Sequence, residues 1–196
     1  MRDDYLERFK DFTIGIPGFR SEILEDDKEW WALGRHHGLI TPLLDWTYSP
    51  YIASFFAFTE YIELMNPGFK NGTQKQGITF GTEPVVVWAL VISDGLEKKD
   101  EFEIVKSRKD NFYHQKSQQG IFTRLSHPYH CDLESYLISR DLANHLERYE
   151  INGQAMGKAL CDFELMNITF SSLFPDLHGA AMQANHISGW SFMSHE

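Results

Sequence analysis

Apolar residues recur at helical spacing in YLERFKDF (5–12), and the Ile14-Gly15-Ile16-Pro17-Gly18 run then breaks the pattern, so a short first helix is predicted there. The spacing turns helical again from Glu29 to His36, with Gly38 placed to end that helix in a left-handed cap. Beyond the Pro42 interruption, Leu43 to Trp46 reads as a short extended piece. Ser49 before Pro50 is a helix start, because serine accepts a bond from a free backbone N–H and the fixed φ of proline suits the first turn. Ala53, Phe56, Ala57 and Glu60-Tyr61 continue that helix with an aromatic inner face.

Residues 66–84 are rich in Gly, Asn, Thr and Gln and predict a surface loop or insertion. The eight apolar residues from Val85 to Ile92 predict the strongest strand, placed at the centre of a sheet. Weaker strands are expected at Glu103–Val105 and Ile121–Leu125, and the alternation in Leu133–Ser139 predicts a third. Helices are expected at Leu142–Tyr149, Gln154–Leu165 and Gly179–His186, with the SSLFPDL turn before the last. The fold class read from this pattern is α+β: a small, central, mostly antiparallel sheet flanked by helices. At 196 residues the chain is long enough for one good-sized core, and one domain spanning 1–196 is expected.

Composition narrows the function classes. Apolar residues at 42% and charged residues at 23% match an ordinary globular chain. No apolar run reaches membrane-spanning length, and the charged opening MRDDYLERFK lacks the apolar stretch of a signal peptide, so a soluble cytoplasmic chain is expected, with no membrane partner. A net charge of −10 argues against holding nucleic acid through phosphate contacts. Cys131 and Cys161 lack Cys-x-x-Cys spacing and read as half-buried thiols. His127, His130 and Cys131 in SHPYHC, with His114, look like the start of a metal site but have no second ligand cluster, and no metal is expected. A nuclease would need a carboxylate cluster and a basic groove, and neither is visible.

Three blocks carry a resemblance: WWALGRHHGLITPLLDWTYSPYIASFFAF (30–58), HQKSQQGIFTRL (114–125) and ITFSSLFPDLHGAA (168–181). In this order they resemble the bacterial FRG-domain family, over about residues 5 to 185. Two departures stand out. The chain contains no Phe-Arg-Gly or Tyr-Arg-Gly, so it either begins after that motif or has lost it. Where the family reads Pro-Thr-Arg this chain has Ile40-Thr41-Pro42, which removes a cation that would face an anionic ligand. A weaker resemblance, to the ADP-ribosyltransferases, lies in an extended piece ending in Thr-x-Ser before a Pro-led helix.

That second resemblance implies an NAD pocket, with transfer or hydrolysis of ADP-ribose, in a toxin or phage-defence effector. Asp45, Gln119 and His37 become the catalytic candidates, and His36, Thr41, Trp46, Thr47, Ser49 and Gln118 the binding set. Breaking the nicotinamide–ribose bond passes through an oxocarbenium-like state that a carboxylate stabilises, so Asp45 or Glu134 would supply the charge a glutamine lacks. Nicotinamide would stack on Trp46, Tyr51 or Phe55.

Structural roles stand beside these. His36 and His37 point about 100° apart on a helix, so one of them faces solvent or caps the helix end. Asp45 could serve its neighbouring turn, and the aromatics could be core. Gln118-Gln119-Gly120 could be a turn whose amides satisfy backbone groups, and Asp176 in LFPDLHG a cap for the last helix. The alternative function is a non-catalytic module that binds a protein partner within a larger assembly.

Overall fold

The structure is a computed structural model, and it describes residues 2–21, 24, 26–66, 81–97, 99–106, 113–126 and 132–190. His127, His130 and Cys131 of the SHPYHC cluster and most of the 66–84 segment lie outside them, as does the side chain of His114.

Helix α1 (Arg2–Thr13) leads to α2 (Asp27–His36), which Asp26 opens by accepting from the backbone N–H of Lys28 and Glu29, each at 3.0 Å. Gly38 ends α2 with φ +86°, in the left-handed conformation that glycine adopts without a Cβ clash. Leu39 N–H then returns to the Gly34 carbonyl at 2.8 Å and turns the chain into β1 (Leu43–Thr47). Ser49 caps α3 (Pro50–Met65), accepting from Ile52 N–H at 3.3 Å. β2 (Val85–Leu90), α4 (Asp94–Glu97), β3 (Phe102–Val105), α5 (Tyr113–Ser117), β4 (Gly120–Leu125) and α6 (Leu133–Ser139) follow. β5 (Leu146–Ile151), α7 (Met156–Leu165), α8 (Phe170–Leu173) and α9 (Leu177–Trp190) complete the order.

The class is α+β, as expected, but among the described residues the strands form two small antiparallel sheets instead of one. One has the order β1-β4-β3, and the other is the ribbon β2-β5. Three predicted elements change. Val85–Leu90 is not central but lies in the ribbon: its apolar run reaches two separate clusters, Val85 joining the main core and Leu90 packing beside Leu96 and Leu137. Leu133–Ser139 is a helix, because Asp132 caps it through Ser135 N–H at 2.8 Å and Leu133, Tyr136 and Leu137 all bury on one helical face. The helix expected at Leu142–Tyr149 is a 3-10 turn followed by β5, since pairing with β2 outweighs local helix propensity. Cys161 is exposed rather than half-buried.

The main core is aromatic. Phe55 meets Phe56, Phe163 and Phe170 edge to face, at centroid distances of 5.8, 6.2 and 5.0 Å. Trp31, Leu43 and Val105 tie α2 to the three-stranded sheet, and Phe102, Tyr136 and Leu137 tie α6 to its other face. Among the described residues, no helix is long and apolar enough to cross a membrane.

Candidate functional site

A cleft of about 870 Å³ opens where these clusters meet, a size typical of small-molecule sites. Its walls are the last turn of α2 (Ala32, Arg35, His36), four successive residues of β1 (Leu44 to Thr47) and the half-exposed face of α3 (Ala53, Phe56, Ala57, Glu60), whose buried face is Ile52, Phe55, Phe58, Thr59 and Ile62. Val86 to Trp88 of β2, Gly120 to Phe122 of β4 beside β1, the start of α6, Gln118 and Phe174 also line it. Phe56, Trp88, Phe174 and Trp46 supply flat apolar surface.

Asp45 lies opposite Phe122 in the β1–β4 register, on the side that faces α2. Arg35 meets it there: the guanidinium Nε donates to Oδ2 at 2.9 Å, and a second guanidinium nitrogen donates to the same oxygen. Both side chains keep solvent access, so the pair is a modest stabiliser that a competing anion can open. Arg35 was not among the residues singled out from sequence, yet it returns to this corner the cation that Ile40-Thr41-Pro42 lacks. Its i, i+10 separation across a helix end and a turn has no periodic signature.

Hydrogen bonds link the three motif blocks. Thr47 Oγ1 donates to the Gln118 carbonyl at 2.7 Å and accepts from Ser49 N–H at 3.1 Å. Gln118 Nε2 in turn donates to the Leu173 carbonyl at 3.2 Å, beside Phe174. Trp46 Nε1 donates to Thr123 Oγ1 at 2.9 Å, which fixes the indole against the third cluster. Thr47→Val is expected to cost about 1–2 kcal/mol, because it strips a half-buried carbonyl and an N–H of their partner. Urea unfolding measures it, and a variant within about 0.5 kcal/mol of the parent rules this linkage out as a stabiliser.

The candidates divide. His36, Asp45, Trp46, Thr47 and Gln118 line the cleft, and so does Glu134, from a helix instead of the expected strand. His37 sits at the exposed C-cap of α2, its N–H shared between the Gly34 and Leu33 carbonyls. Gln119 is exposed in a left-handed turn, φ +50°, where its carbonyl accepts from Tyr48 N–H at 3.1 Å. Thr41 Oγ1 accepts from Leu43 N–H at 3.3 Å, and Ser49 serves as the α3 cap. Tyr51 is exposed and Phe55 is core, and neither is on the cleft wall. Phe174 comes from the block expected to be structural, and it does line the cleft. Asp176 in that block caps α9 as predicted, accepting from Gly179 N–H at 2.8 Å.

Comparison with known proteins supplies one match. The family model for the FRG domain matches residues 2–64, which bears out the resemblance from α1 through α3 and takes in Arg35, His36 and Asp45 to Ser49. No curated protein and no solved structure matches the chain.

Proposed function

We propose that this FRG domain uses the cleft to bind NAD and to break its nicotinamide–ribose bond, handing ADP-ribose to water or to an acceptor. The observation that carries the reading is the Arg35–Asp45 pair at the edge of an aromatic cleft. A pyrophosphate entering the cleft takes the Arg35 guanidinium, for which two phosphate oxygens compete well in a fork geometry. Asp45 is thereby released to face the ribose. Its carboxylate stabilises the developing positive charge as the C1′–N bond breaks and nicotinamide leaves neutral with the bonding pair. Water or the acceptor adds at C1′ and loses a proton to solvent. Gln118, which lines the cleft, is better placed than Gln119 to hydrogen-bond the sugar. The oxidised nicotinamide ring is itself a cation, and the aromatic walls together with Glu60, Asp132 and Glu134 suit a flat cationic ring. Such an activity would serve a toxin or phage-defence effector.

The test is a thermal-shift titration with NAD, ADP-ribose, ATP and GTP, run beside chromatography of the NAD pool. At a hundredfold excess over the dissociation constant, NAD is expected to add about 2.7 kcal/mol, or about 5–10 °C in a chain of this size. Arg35→Ala is expected to abolish the shift and Asp45→Ala to keep the shift but abolish NAD consumption, both with a near-parental melting point, because an exposed pair contributes about 1 kcal/mol or less. No shift with any nucleotide, and an unchanged NAD pool, would end this reading. One observation favours the second reading, a non-catalytic interaction module: among the described residues the lining sets Asp45, Glu60, Asp132 and Glu134 against Arg35, so the phosphates of a dinucleotide meet few cations.

A further inference from the structure

The ribbon β2-β5 carries a feature that the cleft does not use. β5 pairs with β2 alone among the described residues, and four of its six residues, Glu147 to Glu150, are exposed. The register Leu90↔Leu146, with Val91 N–H donating to the His145 carbonyl at 2.7 Å, sets the parity of the ladder. In an antiparallel ladder bonded pairs alternate, so Glu147, Tyr149 and Ile151 bond to β2 while the main-chain groups of Leu146, Arg148 and Glu150 point to the open edge. An open edge of this kind is a template for another strand.

We infer that β5 is the docking edge for a second copy of this chain, joined antiparallel about a two-fold axis at Tyr149 into a four-stranded sheet β2-β5-β5-β2. The parity allows a two-fold axis at any of the six residues, but axes at Leu146 or Ile151 pair only one residue of the strand with itself, and an axis at Glu147 sets two glutamates opposite each other. Centring on Arg148 sets two arginines opposite each other, and centring on Glu150 sets two glutamates opposite each other. Centring on Tyr149 sets Arg148 opposite Glu150 of the second copy, twice, and brings the two tyrosines side by side as a non-bonded pair. Opposite charges directly across a ladder stabilise it and like charges destabilise it, so the side chains select the register centred on Tyr149. Arg148 already pairs with Glu150 within the strand, which shows that the two side chains share a face and reach each other's charge. The edge charges bar indiscriminate strand addition while admitting this one partner. A single strand pair buries little against the 1,200–2,000 Å² of stable complexes, so the dimer is weak and reversible. The net charge of −10 on each copy opposes it at low salt.

Sedimentation equilibrium near physiological ionic strength, over a wide range of protein concentration, tests the inference. The average mass is expected to climb from 22.8 kDa towards twice that value. Arg148→Glu and Glu150→Arg should each hold the chain at monomer mass, and the two combined should restore the dimer. A parent chain that stays monomeric at every concentration overturns the inference, as does a dimer indifferent to the single substitutions. The outcome is independent of NAD, which is absent from the experiment.

Discussion

Gly179→Ala is expected to destabilise the protein by about 3 kcal/mol or more, at the severe end of what overpacking does. A Cβ at this position would lie 1.9 Å from the Phe174 carbonyl oxygen, 2.6 Å from Phe174 Cβ and 2.8 Å from the Phe170 carbonyl oxygen. Two of these are main-chain atoms of the α8 turn, so nothing flexible can yield. The first turn of α9 would have to move away from α8. That movement strains the Asp176 cap and draws Phe174 away from the cleft wall. Gly95→Ala is the control, since its nearest neighbour would stand at 3.8 Å and alanine is the better helix residue. Urea unfolding of the two variants separates close approach from helix propensity. Equal and near-parental stability in both would refute the account of the α8–α9 contact.

Acid should weaken the fold through one buried histidine. His186 is 2% exposed, and its ring lies 4.4 Å from that of Phe170, centroid to centroid. Burial pushes its pKa down from 6.5 to about 4, and the Glu63 carboxylate at 4.0 Å recovers only part of the loss. In the unfolded chain the imidazole gains a proton as pH falls through about 6.5, whereas in the folded chain it stays neutral until about 4. Between those values the unfolded state binds more protons, so stability is fully present above pH 6.5 and declines as pH falls. The total loss by pH 4 is about 3 kcal/mol, after which this group contributes no further change. Urea unfolding of the parent and of His186→Gln across that window isolates the effect, since every other titration is common to both chains. Parallel stability curves for the two would remove His186 as the cause.

The order of helices and strands through the first 65 residues was open to reading because its signals are local. Asp26, Gly38 and Ser49 each act on backbone groups within a few residues, and β1 is bounded by the turns on either side. Elements whose identity depends on distant partners were misread. Leu133–Ser139 alternates like a strand, but its burial follows helical spacing against Phe102 and Leu96. Leu146–Ile151 has a helix former's composition and becomes a strand because β2 lies beside it.

The site divides along the same line. From the residue types alone, the Asp-Trp-Thr corner, the Gln-Gln-Gly turn and the Leu-Phe-Pro-Asp block stood out, and the family match now covers the first of them. The sequence also determined the acidic charge and the caps at Gly38, Ser49 and Asp176, which follow from composition and short spacing. Only the tertiary structure decided that Gln118 rather than Gln119 lines the cleft, because a left-handed turn at Gln119 points its side chain out to solvent. Only the tertiary structure brought Arg35 to Asp45, joined Thr47 to Gln118 and Gln118 to Leu173, and left β5, among the described residues, with an open edge. Those contacts span 10 to 71 positions along the chain, and their strength depends on where whole elements pack, which no local pattern records.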